Sequence, residues 1–290
     1  MRSDEKLKRN QARSRAGHSL IDHSHRPSRL LFLLEGRAVY DAAGMIPMFA
    51  LQRFLPAGDG HPVLVLPGFL ASSGTTQPLR RFLADMGYKS HRWKLGYNTG
   101  YSRRVHDGMR HRLVELAERY GETVSLIGWS LGGVYARELA REMPDTVRQV
   151  ISMGSPFRGH PESSHAHRLF DLFSEVRYEH MPASLLERMA ETPPVPTTAL
   201  YTRGDGVVAW QSTVEISDRP DVENIHVGGA HIGLGFNPRA LVAICDRLSQ
   251  PEGQWQRFKP PFLLKPLFRN WYPDWLVHGE MDPLRAAPLN

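Results

Sequence analysis

Short runs of almost entirely apolar residues recur along the chain, separated by longer segments with apolar residues at helical spacing. Unbroken apolar runs are typical of parallel strands that are buried on both faces of a sheet. The segments between them, most of which end at a glycine or a proline, favour helices packed on those faces. The predicted strands are 61–70, 88–93, 123–127, 147–153, 197–201 and 224–227; the predicted helices are 78–86, 105–120, 134–143 and 239–248. The alternation predicts an α/β fold with a doubly wound, mostly parallel sheet.

The pattern also divides the chain into regions. Residues 1–28 are predicted to be a basic disordered arm, and 29–56 an amphipathic helix that docks on the domain or, alternatively, contacts a membrane or a lid. The α/β domain is predicted to span 57–258. It includes a helical lid insertion over 157–196, where no strand pattern occurs. Residues 259–290, rich in proline and aromatic residues, are predicted to pack on the surface, with a membrane interface or the rim of an acyl pocket as alternatives.

Composition narrows the possible environments and partners. The chain has 290 residues, 41% of them hydrophobic, a net charge of +6 and one cysteine, Cys245, which we expect to be buried. A single cysteine forms no internal disulfide and favours a reducing compartment. The basic excess lies in the arm, without a nucleic-acid recognition motif, so nucleic acid is not an expected partner. With no secretory signal or long apolar span, we expect a cytoplasmic protein, with peripheral contact to anionic lipid left open. The oligomeric state is also left open.

The clearest chemical motif is Gly-x-Ser-x-Gly, centred on Ser130, between a predicted strand and a predicted helix. In that context the motif indicates a sharp turn that exposes a nucleophilic serine. Gly128 and Gly132 remove the side chains that would collide where strand and helix pass closely. The start of a helix also favours developing negative charge. Ser130 is therefore the predicted nucleophile, and an ordinary glycine-rich turn is the alternative.

A serine hydroxyl needs a base that takes its proton and an acid that orients the base. His231 follows the last predicted strand in a glycine-flanked loop and is the predicted base; His226 lies within that strand. The chain order Ser, Asp, His points to Asp205 as the acid. An Asp-Gly turn is the alternative reading for Asp205, and Asp218 and Asp221 are the fallback acids.

Acyl chemistry at a serine also needs donors for the oxyanion. The backbone N–H groups of Leu131, after the serine, and Phe69, after the first strand, are predicted to supply them, with Leu70 as the alternative to Phe69. Leu70, Trp129 and Phe157 are the predicted substrate-binding residues.

These motifs resemble those of the α/β-hydrolase superfamily, and within it the bacterial lipase/esterase-like branch. The resemblance covers about residues 59–258. It rests on the sequences at 65–69, 128–133, 154–159, 203–208 and 229–234. It implies an α/β-hydrolase fold with Ser130 as nucleophile, Asp205 as acid, His231 as base and Phe69 as an oxyanion donor. The family often has His-Gly before that donor, whereas this chain has Pro67-Gly68.

The predicted function is hydrolysis of a lipophilic carboxylic ester through an acyl-enzyme, with no metal or cofactor. Transfer of the acyl group to another acceptor and cleavage of a thioester would use the same residues. A non-catalytic module that binds a membrane or a partner is the alternative from another class.

Overall fold

The computed structural model describes residues 27–158 and 188–268. Its centre is a six-stranded sheet in which all neighbouring strands are parallel, in the order β2-β1-β3-β4-β5-β6. The strands are β1 (Pro62–Leu66), β2 (Lys89–Arg92), β3 (Val124–Trp129), β4 (Val147–Met153), β5 (Thr197–Tyr201) and β6 (Val222–His226). The α/β prediction with a mostly parallel sheet is confirmed.

Helices flank this sheet. They are α1 (Arg29–Leu33), α2 (Ala38–Leu51), α3 (Gln77–Asp85), α4 (Arg103–Tyr120), α5 (Leu131–Glu142) and α6 (Pro238–Leu248). Short 3-10 helices cover Leu34–Arg37, Gln52–Phe54, Pro144–Thr146, Trp210–Thr213 and Phe262–Phe268. No helix within the two described ranges has the length and apolar character needed to cross a membrane.

The apolar runs form strands because both faces of the sheet are covered. All residues of β1, β3 and β5 are buried. One core lies between the sheet and helices α2, α3 and α6, and the other between the sheet and helices α4 and α5. Cys245 of α6 is buried in the first core. Burial on both sides removes the polar alternation that a half-exposed strand would have.

The strand order reverses at β1. The chain passes from β1 outward to β2, returns to β3 on the other side of β1, and then continues to β6. In open α/β sheets, the crevice beyond the carboxyl ends of the strands at such a reversal is the usual ligand site. Residues that follow β1 and β3 are therefore adjacent at this edge.

The N-terminal segment differs from the single helix predicted over 29–56. Helices α1 and α2 are separated by the 3-10 turn Leu34–Arg37, and the Glu35 side chain within this turn is buried. Because 3-10 turns are tighter than α-helical turns, the helical spacing of apolar residues does not continue through them. The arm up to residue 26, most of the predicted lid (159–187) and the tail from 269 lie outside the described residues.

A polar cluster joins β1 and β3 at the amino ends of these strands, opposite the edge just described; its His61 and Ser125 are buried and its Asp59 is exposed. The His61 ring donates from Nδ1 to the Asp59 carboxylate and accepts at Nε2 from the Ser125 hydroxyl at 2.8 Å. Burial lowers the pKa of His61 below its ordinary value and outweighs the opposing effect of Asp59, and the nearby charge of Arg148 lowers it further. The folded protein therefore favours the neutral imidazole.

This cluster predicts a pH-dependent loss of stability. The contribution of His61 is complete above its unfolded pKa of about 6.5 and is lost as the pH falls below that value, by at most about 1.4 kcal/mol per pH unit. His61→Gln should be less stable than wild type near pH 8, with a gap that narrows toward pH 5. Urea unfolding across this range measures the gap, and the exposed His111→Gln is the control. A constant gap would contradict the prediction.

Candidate active site

Ser130 lies at the turn between β3 and α5 in a strained backbone conformation, with φ of 54° and ψ of −123°. Residues with side chains rarely adopt positive φ, and such strain persists only where the surroundings enforce it. The Ser130 N–H donates to the Met153 carbonyl at 2.8 Å, and its carbonyl accepts from the Gly133 N–H at 2.9 Å. The side chain is half-buried. The predicted sharp strand–turn–helix is confirmed.

The glycines around Ser130 allow backbone segments to touch. A side chain at Gly128 would overlap the backbone of Gly132 and Gly133, and one at Gly132 would lie 2.7 Å from the Pro67 carbonyl oxygen. A side chain at Gly68 would lie 3.2 Å from Cβ of Ser130. The loop after β1 therefore passes directly beside the serine.

Asp205 and His231 are paired in the loops that follow β5 and β6. The His231 ring donates from Nδ1 to Oδ2 of Asp205 at 2.6 Å, which leaves Nε2 as the acceptor. The other oxygen of Asp205 accepts the N–H groups of Val207 and Val208, each at 2.8 Å. Both members of the pair are buried. Asp205 is thus fixed by three donors.

Neighbouring charges set the proton affinity of His231. Burial alone would lower the pKa of its imidazole, because the charged form loses hydration. The charge of Asp205, its hydrogen bond and the charge of Glu35 oppose this effect, and together they raise the pKa of His231 above its ordinary value. The site therefore stabilises the imidazolium that forms when the ring accepts a proton.

One hydrogen bond and one close approach connect His231 with the serine turn. Nε1 of Trp129, the residue before Ser130, donates to the His231 carbonyl at 3.1 Å. A side chain at Gly154, which follows Met153, would lie 3.0 Å from Nδ1 of His231. Ser130 and His231 thus border the same corner at the end of β4.

The predicted oxyanion donors belong to the two segments next to the serine. Leu131 begins α5, and the N–H groups of a first helical turn have no acceptor within their own helix. Phe69 follows Gly68 in the loop beside Ser130. The Leu70 N–H donates to the Asn98 carbonyl at 2.7 Å, which argues against Leu70 as the alternative donor.

The predicted substrate-binding residues have different surroundings. Leu70 is 41% exposed at the edge of the sheet that carries Ser130. Trp129 is buried against Phe236 and holds the His231 loop. The assignment of Phe157 requires correction: its ring is 1% exposed and stacks under the Arg137 guanidinium, whose carbon lies 3.6 Å from the ring centroid. Phe157 is part of the core beneath α5.

His226 and the two fallback acids have other surroundings. The His226 ring packs against Tyr201 within the sheet. Asp221 pairs with Arg219 immediately before β6, and Asp218 is exposed in the same loop. Because these acids precede β6 and His231 follows it, the acids and the histidine lie at opposite ends of this strand.

Several polar residues around the site were not predicted, and Asn98 and Glu35 among them are buried. Asn98 donates from Nδ2 to the Pro67 carbonyl at 2.8 Å and so ties the loop beside the serine to the loop after β2. Glu35, Arg37 and Asp41 of the N-terminal segment contact the loops that carry Asp205 and His231. The one sequence signal was the presence of these charges within an otherwise apolar segment.

Within the two described ranges, no three His, Cys, Asp or Glu side chains are grouped closely enough to hold a metal ion. The polar groups gathered at this edge are a serine, an imidazole–carboxylate pair and backbone amides. That set of groups is suited to nucleophilic and proton-transfer chemistry.

Comparisons with known proteins agree with this architecture. Lipase B of Aspergillus fumigatus is similar in structure, with a TM-score of 0.53 and 18% identity over 72% of this chain and 56% of that chain. A lipase of Bacillus licheniformis gives a TM-score of 0.47 and 14% identity over 65% of this chain and 91% of that chain. This protein has the α/β-hydrolase fold.

In sequence, the lysosomal thioesterase PPT2 homolog of Drosophila melanogaster is 27% identical over 125 residues. The matched part is 41% of this chain and 43% of that protein, so the chain matches less than half of the relative's length. No family model matches the chain.

The close approach at the serine turn predicts a large effect of one methyl group. Gly128→Ala should destabilise the protein by about 3 kcal/mol or more, because the methyl would meet backbone that cannot move aside. Gly74→Ala is the matched control, since its methyl would be in ordinary contact with Ser72. Urea unfolding of both variants tests the prediction, and equal stabilities would contradict it.

Proposed function

We propose that this protein is a serine hydrolase that cleaves carboxylic esters of lipophilic acids. The observation that carries the proposal is the 2.6 Å hydrogen bond between His231 and Asp205 beside the strained Ser130 turn. A lone Gly-x-Ser-x-Gly sequence is a weak signal. A buried imidazole–carboxylate pair bordering that turn supports activation of the serine.

In the proposed reaction, Ser130 Oγ attacks the acyl carbonyl while Nε2 of His231 takes the hydroxyl proton. Asp205 holds the ring in the required tautomer and stabilises the imidazolium. The N–H groups of Leu131 and Phe69 stabilise the oxyanion, each contributing roughly 3 kcal/mol to the transition state. His231 then protonates the departing alcohol, and water activated by the same ring cleaves the acyl-enzyme.

The choice of ester rests on the surroundings of the site. Leu70 and Ile232, which flank the serine and the histidine, are 41% and 52% exposed, so apolar surface adjoins the reactive groups. The similar Aspergillus fumigatus protein reported above is a lipase by name. A thioester is the second candidate, because the similar Drosophila protein is named a thioesterase. A panel of matched p-nitrophenyl esters and acyl thioesters of increasing chain length would decide between them.

Labelling with a fluorophosphonate tests the nucleophile before any substrate is known. We expect one covalent adduct by intact mass on wild type and none on Ser130→Ala. Labelling of His231→Ala and Asp205→Asn should be slower by roughly 10³-fold or more. In His231→Ala the serine loses its base, and in Asp205→Asn the base loses the group that orients it.

Ser125→Ala is the matched control for this experiment, since it removes a serine bonded to a histidine at the opposite edge of the sheet. Its labelling rate should equal that of wild type. An unlabelled wild type, or an adduct that persists in Ser130→Ala, would contradict the proposed function.

We also propose that the protein contacts anionic membranes through its N-terminal segment. Large apolar side chains on the outer face of this segment are exposed: Leu30, Phe32, Leu33, Val39, Tyr40, Ile46, Phe49 and Phe54. The preceding residues 1–28 contain seven Lys or Arg and three Asp or Glu. Apolar side chains beside basic charge are suited to an anionic lipid surface.

Vesicle co-sedimentation tests this contact. Wild type should bind phosphatidylglycerol vesicles at low salt and phosphatidylcholine vesicles less, because the basic residues attract anionic headgroups. Leu33→Ser/Ile46→Ser should bind less than wild type, whereas Ile216→Ser, an exposed residue outside the segment, should bind as wild type does. Equal binding of the double variant and wild type would contradict the proposed surface.

A further inference from the structure

The carboxylate of Glu35 joins the two loops that carry the Asp205–His231 pair. One of its oxygens accepts the N–H groups of Gly206 at 2.7 Å and His231 at 3.1 Å. The other accepts the N–H of Ile232 at 2.9 Å. Glu35 is 5% exposed. A side chain far from both loops in the sequence therefore fixes the backbone next to Asp205 and at His231.

Two neighbours of Glu35 extend this contact. The Arg37 guanidinium donates to the Gly204 carbonyl, and to the Gly229 carbonyl at 3.0 Å. The Asp41 carboxylate accepts the Ala230 N–H at 3.1 Å and Nδ2 of Asn237 at 2.8 Å. The 3-10 turn and the start of α2 thus bind the backbone on both sides of Asp205 and on both sides of His231.

The glycines of these loops provide the space for the N-terminal segment. A side chain at Gly204 would overlap Arg37, and one at Gly206 would overlap the α1 backbone at Leu31 and Phe32. Side chains at Gly229 and Gly233 would overlap Asp41. The glycine pattern around Asp205 and His231 therefore matches a surface on which this segment lies.

Burial of a carboxylate is costly unless hydrogen bonds replace its hydration. For Glu35 the replacement consists of three backbone N–H groups, which charge-assisted bonding makes stronger than neutral bonds. Since all three donors belong to the two loops, movement of either loop would leave the buried charge with fewer partners.

We propose that Glu35 is a positioning residue that holds the Asp205–His231 pair in register with Ser130. The inference rests on the proposed hydrolase function, in which that pair activates the serine. Glu35 does not contact substrate. It acts by fixing the backbone of both loops and by placing a negative charge near the imidazole.

The charge provides a readout that a purely structural role would not give. The groups that face His231 or its loop are Asp205 on the ring, Glu35 and Asp41 on the backbone, and the cationic Arg37 at Gly229. The negative charge of Glu35 raises the pKa of His231. Its removal should therefore move the acidic limb of the activity profile to lower pH, because the base must be neutral to act.

Glu35→Gln is the central variant. The Gln carbonyl oxygen can accept from Gly206 and His231, but its NH2 group would face the Ile232 N–H, and the charge is lost. We expect fluorophosphonate labelling at the pH plateau to slow by about 10- to 100-fold, as expected for a small misplacement of reacting groups. The midpoint of the acidic limb should fall. Glu35→Asp keeps the charge on a shorter side chain. The plateau rate of labelling should therefore fall, because the contacts are lengthened. The midpoint of the acidic limb should change less than in Glu35→Gln, because the charge is retained.

Glu223→Gln is the matched control. The Glu223 carboxylate also accepts a backbone N–H, that of Phe258 at 2.8 Å, and it pairs with Arg247 away from the catalytic edge. Its labelling rate and pH profile should equal those of wild type, whatever its effect on stability. A Glu35→Gln protein with the plateau and midpoint of wild type would overturn the proposal.

Histidine titration by NMR keeps this test separate from that of the hydrolase function. The signal of His231 is identified by its absence in His231→Ala, and its pKa should be lower in Glu35→Gln than in wild type. If wild type is not labelled at all, the proposed function fails, while the titration still reports on the Glu35 contact. An unchanged pKa of His231 would overturn the role of Glu35 for either result.

Discussion

The close approach of three backbone segments at the end of β3 is the constraint on which the site depends. The loop after β1, the serine turn and the start of α5 meet at distances that only glycine permits at positions 128 and 132 and that leave little room for a side chain at 68. This packing holds Ser130 at a positive φ and places the loop at Gly68 beside it. Because β1 and β3 are neighbours where the strand order reverses, the crevice and the strained turn have the same topological origin.

The sheet positions the serine turn, but the strands alone do not position the Asp205–His231 pair. Asp205 and His231 lie in loops with glycines on either side, and such loops have little conformational preference of their own. Charged side chains of the N-terminal segment, among them the buried Glu35, bind the backbone of both loops. The same segment exposes apolar side chains on its other face. An exposed apolar surface and the contacts to the loops of the imidazole–carboxylate pair thus belong to one segment.

The elements that follow local rules could be predicted from sequence, and the long-range polar contacts could not. The strands at 147–153 and 197–201 were predicted to the residue, since burial on both faces of the sheet leaves a short apolar run within each. The pairing of Asp205 with His231 followed from chain order and loop position. Glu35 was missed because its donors are 171 to 197 residues away, so nothing local marks it as buried. Phe157 was misassigned because the stacking cation, Arg137, comes from another element.

The cluster of Asp59, His61 and Ser125 shows why residue types alone do not define a site. It has the same hydrogen-bonded order as an acid, a base and a serine, yet Ser125 lies within β3 and is fully buried. Its hydroxyl donates to the ring, but no substrate carbonyl can approach it and no helix begins beside it. Ser130, five positions further along, has the strained turn, the first-turn amides of α5 and partial exposure. Whether a serine forms a structural contact or is suited to reaction therefore depends on which end of the strand it occupies and on its own backbone conformation.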